Sequence, residues 1–492
     1  MSPTGSSHNS SHIDLQAAAK EVVLERGFQP DFGPAVQQQL AQLRQHPPEI
    51  AANGKIRDLR DRLWSSIDSD TSRDLDQIEV AERLPNRDAK VMIGIADVDA
   101  FVLRGTPIDQ HAARETTTVY AGVRNFPMLP EELSTGKTSL LENQDCLAVV
   151  TEFVVDATGH VTSSDVYRAI VRNKAQLQYN SLGAWLEGAA AAPPKVAASG
   201  DLQAQLQLQS DVAQKLKSQR YDHGALSLET NEFLPLLVNG AIVGVTNQQK
   251  NHATELIEDF MIAANGVVAR MLEKVSSLRR IVREPKRWDR IVELAATYGD
   301  RLPSEPDSKA LNDFLIKQKA ANTDHFADLS LAVIKLIGPG EYVLERPGEP
   351  APGHFGLAVR DYTHSTAPNR RFADMVTQRI LKAMLDGKPD PYSDSELSAI
   401  AADCTEKEDA AQKVERDMSK RLAAVAMQNR IGAIFDAIVT GVTPNGTFVR
   451  ALQPHVEGLL AQGNKGADVG DKLRVKLIRT DVQHGFIDFA RV

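Results

Sequence analysis

The sequence predicts an α+β fold built from several modules, and three features carry that expectation. Two helix-like stretches stand near the N-terminus, β-branched runs such as KVMIGIADVDAFV and CLAVVTEFVV alternate with long amphipathic segments through the middle, and short strand-like stretches with turn signals fill the chain from about residue 431. At 492 residues the chain is also too long for one ordinary domain.

Residues 1–12, MSPTGSSHNSSH, are polar and lack the charged-then-apolar pattern of a secretory signal, so they read as a disordered tail. Residues 13–57 hold DLQAAAKEVVLER and PAVQQQLAQLRQ, separated by GFQPDFG, where Gly27 stops the first pattern and Pro30 and Pro34 break it. A helical hairpin is expected there, with too little apolar content to belong to the main core. The main domain is expected over residues 58–392. Within it AAAAPPKVAASG, residues 189–200, reads as a surface loop. HATELIEDFMIAANGVVARML reads as a long central helix, because Ile257, Phe260, Met261, Ala264, Val268 and Met271 recur at helical spacing. Residues 393–430 are expected as a helical connection. Residues 431–492, with turn signals at TPNGT and GDK, are expected as a small separate β module.

Composition narrows the function. The chain has 42% hydrophobic and 25% charged residues and no apolar run long enough to span a bilayer, so no membrane partner is expected. Cys146 and Cys404 lie far apart and fit neither a disulfide framework nor a zinc spacing, which suits a reducing compartment and a cytoplasmic location. A net charge of -9 argues against broad attraction to phosphate, so any nucleic-acid site must be locally basic. The run KVSSLRRIVREPKRWDR, residues 274–290, is the best candidate for such a patch, although a run of this kind is more often a solvated face.

The densest chemical signal is SSIDSDTSRDLDQIE, where Asp68, Asp74 and Asp76 crowd together with Asp70 between them. If DLD is extended, Asp74 and Asp76 share a side, and the turn at SDTS can fold Asp68 back toward them. Hard oxygen donors grouped in this way suit magnesium or manganese. Three readings compete: an acidic surface loop, an EF-hand and a metal-dependent hydrolase. The EF-hand places Asp68, Asp70, Ser72, Asp74 and Glu79 at ligand positions but puts Arg73 where a glycine is required.

The same segment resembles the signature of the ribonuclease II (RNB) family, an aspartate followed several residues later by D-x-D-D. Asp68, Asp74 and Asp76 match its first three acids, while Gln77 stands where most members have aspartate. The blocks IADVDAFV, TTTVYAGVRNFPMLPEELS, NKAQLQYNSLGAWLE, GAL, IEDFMIAAN and HFGLAVRDYTHSTAPNRRFADMVTQRIL follow in the family's order and spacing. The resemblance implies an RNB domain, a mixed sheet with surrounding helices enclosing a channel, and hydrolysis of single-stranded RNA from its 3′ end to nucleoside 5′-monophosphates. Two magnesium ions, for which manganese can substitute, would be held by Asp68, Asp74, Asp76 and Gln77.

By the same resemblance, Arg370 would hold a phosphate near the scissile bond. Arg371 is a second candidate, with a buried ion pair to Asp374 as its structural alternative. Tyr179 would pack on the terminal nucleotide and Glu258 would position it. Tyr120 would stack a base further from the active site, and Leu228 occupies the place of a partner aromatic. The C-terminal stretch resembles an S1 domain, an OB-fold barrel, with Phe435 and Phe448 as its likeliest aromatics and Asn445 where another often stands. The family usually carries two cold-shock domains before the RNB domain; here the helical hairpin, resembling a helix-turn-helix cap, would replace them. A monomer is expected. With Gln77 in the motif, a catalytically impaired RNA-binding protein is the alternative.

Overall fold

A computed structural model describes residues 14–52, 54–229, 232–238, 241–248, 250–321, 323–349 and 352–492; the tail expected over residues 1–12 lies outside them. Helix α1 (Leu15–Glu25) is capped by the Asp14 side chain, which accepts from the N–H groups of Gln16 and Ala17. It ends where Gly27 takes a φ of +83°. Helix α2 (Pro34–Gln45) begins on a proline, at a position that needs no N–H. Then come β1 (Ile56–Asp58), β2 (Ser65–Asp68), β3 (Gln77–Arg83), β4 (Ala89–Ala96), α3 (Pro107–Glu115) and the short pair β5 (Val119–Tyr120) and β6 (Asn125–Phe126). The long strands β7 (Asp145–Val155) and β8 (Val161–Arg172) lead to β9 (Ala175–Gln178).

Seven strands form one mixed sheet in the order β1-β8-β7-β4-β3-β2-β9. It is parallel at β1–β8 and β2–β9 and antiparallel elsewhere. The central β4 is buried along almost its whole length, so its run of valine, methionine and isoleucine packs on both faces.

After the sheet come α4 (Tyr179–Leu186), α5 (Pro194–Ala197), α6 (Gly200–Asp222), the hairpin of β10 (Glu232–Val238) and β11 (Ala241–Gln248), and α7 (His252–Met271). Helix α7 is the central helix expected from its spacing: it starts in a capping box at Asn251 and buries Ile257, Phe260, Ala264 and Val268. The stretch expected as a surface loop over 189–200 instead contains α5, because Pro194 is well placed to open a helical turn and Val196 is buried. Strand β12 (Ser277–Ile281) pairs with β13 (Glu341–Glu345). Between them α8 (Trp288–Thr297), α9 (Ser308–Ala321) and α10 (Thr323–Ile337) close a small core around Trp288, Leu311, Phe314 and Phe326. Helix α11 (Phe372–Leu385) and the 35-residue α12 (Asp394–Gln428) then lead to a closed barrel. The barrel order is β14-β15-β16-β18-β17, from β14 (Ile434–Thr443), β15 (Gly446–Leu452), β16 (His455–Gln462), β17 (Lys472–Asp481) and β18 (Phe486–Arg491).

The N-terminal helices differ from the expected self-contained hairpin. Helix α1 packs on α12 and α2 on α3. Val36 and Leu40 of α2 belong to the main core. Ala19, Val22, Val23 and Phe28 form a second cluster with Val119, Ala121, Phe126, Val414 and Met418. Few as they are, these apolar side chains pack into the mixed-sheet domain and against the β5–β6 pair. The basic run 274–290 is also not a free patch: Arg279 is buried against Glu345, Arg280 pairs with Glu408, Arg283 with Glu341 and Arg290 with Glu293.

Candidate functional site

The acidic segment is shaped by short-range bonds. Asp68 closes β2, and its Oδ1 accepts from the Ser69 N–H and the Ser72 hydroxyl, both at 2.7 Å, which bends the chain into a turn. Asp70 leaves the cluster and accepts from Asn180 Nδ2 at 3.1 Å. Leu75 is buried between Asp74 and Asp76, so an apolar anchor fixes the aspartates on either side of it.

A turn at Thr138–Leu140 holds this segment from outside. The Ser139 hydroxyl donates to the Arg73 carbonyl at 2.8 Å and accepts from the Leu75 N–H at 2.9 Å, while the Leu140 N–H donates to the Leu75 carbonyl. Thr138 bonds in turn to Asn369: its hydroxyl donates to Asn369 Oδ1 at 2.5 Å, and Asn369 Nδ2 donates back to the Thr138 carbonyl at 3.1 Å. One turn thus brackets both the acids and the segment carrying Arg370.

Asp76 is the most enclosed of the three motif aspartates, 2% exposed. Its Oδ1 accepts from the Asn369 N–H at 3.1 Å, and Arg370 Nε lies 3.4 Å from its Oδ2. Burial pushes its carboxyl up to about 7 against the pull of Arg370 and the Asn369 N–H, with Asp74 adding to the rise. Burial also raises Asp74, where Arg370 opposes and Asp68 adds. Arg370 keeps 44% of its side chain exposed, so one face remains open to a ligand. Arg371 takes its structural alternative: Nε and Nη2 each lie 2.8 Å from the buried Asp374 carboxylate.

Residues 116–118 grip the Arg370 backbone, with the Thr118 N–H donating to its carbonyl and Phe372 N–H to Thr116 O. Tyr120 follows directly. It was expected further along, yet its phenol feels the charges of Arg370, Asp74 and Asp76, and burial raises it to about 12. Tyr179 stands at the start of α4, where burial, Asp68 and Glu79 raise its phenol. The structure therefore gathers Asp68, Asp74, Asp76, Arg370, Tyr120 and Tyr179. Gln77 is buried at the start of β3.

Two expected residues stand elsewhere. Glu258 is exposed on α7 and pairs with Lys250 at 2.5 Å, and Leu228 packs on the core of α8–α10. In the barrel Phe435 is core, edge-on to Phe489, and Phe448 is partly buried on β15. The exposed barrel aromatic is Phe486, stacked on His484 with ring centroids 5.6 Å apart. Thr138, Ser139 and Asn369 were not singled out from sequence, and Glu79 was named there only as the last ligand position of the EF-hand reading.

Among the described residues no three His, Cys, Asp or Glu side chains converge closely enough to cage a metal ion. The donor chemistry fits a hard divalent cation all the same: the acids carry only oxygen donors, sit in a desolvated pocket and raise one another's proton affinity.

The RNB domain model matches residues 56–387, and that of the RNase II-type exonuclease C-terminal S1 domain matches residues 433–492. Ribonuclease R of Thermotoga maritima is 29% identical over 482 residues, covering 89% of this chain and 65% of the relative. The chain spans less than two thirds of the length of such relatives. Mycoplasma genitalium RNase R, solved with ribose-methylated single-stranded RNA, superposes with a TM-score of 0.86 at 22% identity, over 97% of this chain and 78% of that one. Yeast Ssd1, described as a pseudonuclease, superposes at 0.72 with 16% identity, over 91% and 55%. With a mixed-sheet domain that matches the RNB domain model and a C-terminal barrel that matches the S1 domain model, the chain belongs to the RNB family.

Proposed function

We propose that this chain is a metal-dependent exoribonuclease that hydrolyses single-stranded RNA from its 3′ end to nucleoside 5′-monophosphates, acting as a cytoplasmic monomer. The observation that carries the proposal is the grip of consecutive residues on one acid: the Asn369 N–H and Arg370 meet the two oxygens of Asp76, with Asp74 and Asp68 alongside.

Asp68, Asp74, Asp76 and Gln77 would hold magnesium, or manganese in its place; a bound divalent cation would supply Lewis acidity and a nucleophilic water at the phosphodiester. The half-exposed Arg370 binds and orients the phosphate, and its fixed charge opposes negative charge developing there. Tyr120 stands within electrostatic reach of Arg370, and its partly exposed ring offers a face to a base. Tyr179 walls the site beside Asp68. Arg371 acts at one remove: its bidentate pair with Asp374, which also accepts from the Ala367 N–H, stiffens the segment that presents Arg370.

Polarity and product class are tested with RNA labelled at its 5′ end. A 3′-to-5′ hydrolase shortens the labelled strand progressively and releases label only as a terminal short oligomer; early release of labelled mononucleotide would contradict the proposal. A second reading, an RNA-binding protein without catalysis, is favoured by the neutral Gln77 and by the fold shared with Ssd1. It predicts RNA retention with no shortening at any metal concentration.

A further inference from the structure

The segment that presents Asn369 and Arg370 is also held from the side of α7. Asn265 lies within that helix and is 2% exposed. Its Oδ1 accepts from both the N–H and the hydroxyl of Ser365, each at 2.9 Å. Its Nδ2 donates to the Tyr362 hydroxyl at 3.2 Å and reaches the Thr366 hydroxyl at 3.5 Å. A carboxamide has two acceptor sites and two donors, so all four are directed at residues 362–366.

The helix itself gains nothing from this residue. Asparagine is a poor choice for a helix interior, because its side chain competes for backbone bonds, and a buried amide is costly unless it is met. Here each of the four bonds serves the segment that leads to the site.

The held residues pass their position on through a short, stiff stretch. Pro368 fixes its own φ and restricts Ala367 before it. The Ala367 carbonyl accepts from the Arg370 and Arg371 N–H groups, and the Ala367 N–H donates to Asp374 at 2.8 Å. A shift at Ser365 is therefore carried to the Asn369 N–H and to Arg370, the two groups that meet Asp76.

We infer that Asn265 is a positioning residue for hydrolysis, setting from α7 where Asn369 and Arg370 stand against Asp76. The inference rests on the hydrolytic reading of the site.

The test is 5′-AMP release from a short oligonucleotide with magnesium, resolved into kcat and KM, for the full chain as wild type, Asn265→Ala, Ser365→Ala and Phe260→Leu, with thermal unfolding of each. Asn265→Ala lowers kcat by about tenfold to a hundredfold, as a misplacement on the order of 1 Å does, and leaves KM within about twofold. Ser365→Ala keeps its backbone bond to Asn265 and shows a smaller fall in the same direction. Phe260→Leu is the control for stability alone: it lies on the same helix, but its ring meets Phe153 of β7 edge-on, so it destabilises the chain and leaves kcat within about twofold. Unchanged kcat in a folded Asn265→Ala would overturn the inference, as would an equal fall in Phe260→Leu or a defect confined to KM. If Asn265→Ala does not fold, Ser365→Ala decides on the same terms. A folded wild type that releases no 5′-AMP overturns the hydrolytic reading, and the inference with it.

Discussion

The Asn369 N–H donates to Asp76 Oδ1 at 3.1 Å across 293 positions of sequence, joining the arginine segment to the acidic segment at one buried oxygen. Because Asn369 is itself locked to Thr138, and Ser139 to Arg73 and Leu75, the two segments cannot shift independently. A site assembled in this way should be sensitive to residues that never meet substrate.

Thr138→Val and Asn369→Ala test that directly. Each breaks the reciprocal side-chain bond while leaving every acid in place. The expected result is a fall in kcat of about tenfold to a hundredfold with little change in KM, as for a misplacement on the order of 1 Å. Steady-state kinetics on a short oligonucleotide checks it, and a purely affinity-based defect would contradict it.

Tyr120→Phe separates the hydroxyl from the ring. Loss of the hydroxyl, which lies within the electrostatic reach of Arg370, should slow turnover while keeping the length of the smallest product, whereas Tyr120→Ala should also lengthen that product by removing the stacking face. Product lengths on poly(A), resolved on a sequencing gel, distinguish the two.

The N-terminal helices support the site from behind. Phe28 is 2% exposed and packs in the cluster that buries Val119, Ala121 and Phe126. Phe28→Ala should cost roughly 3–5 kcal/mol by denaturant unfolding and loosen the strand pair carrying Tyr120. Deletion of residues 1–50 should expose that cluster together with the sockets of Val36 and Leu40, giving an aggregation-prone protein.

A pH dependence follows from His354, a partly buried side chain whose ring packs edge-on to Tyr362 with centroids 5.5 Å apart. Burial, helped by Arg280, lowers it from 6.5 to about 4. The unfolded chain therefore takes up this proton first, so stability present above pH 6.5 is lost as the pH falls toward 4. His354→Asn keeps an acceptor for the Leu357 N–H and should flatten that part of the stability curve.

Local patterns carried much of the fold: the spacing of Ile257, Phe260, Ala264 and Val268 marked α7, and turn residues marked the barrel. The acids were visible because Asp68, Asp74 and Asp76 are close in sequence. Their fixings were not, since Asn369 and Thr138 reach the site through hydrogen bonds spanning hundreds of positions. The basic run 274–290 misled for a related reason: Arg279, Arg280 and Arg283 meet partners on β13 and α12 that no local pattern reveals. Tyr120 came out nearer to the chemistry than expected because residues 116–118 pair with the Arg370 segment.

Hydrolysis is proposed to occur at the acids gripped by Asn369 and Arg370. The measurement is release of 5′-AMP from poly(A) with magnesium, alongside RNA binding, for wild type and Asp76→Asn. Wild type should release 5′-AMP, and the variant should bind RNA about as well with release reduced by roughly 10³-fold or more, the scale on which loss of a transition-state electrostatic group acts. Undetectable release by a folded, RNA-binding wild type, or equal release by Asp76→Asn, would contradict it.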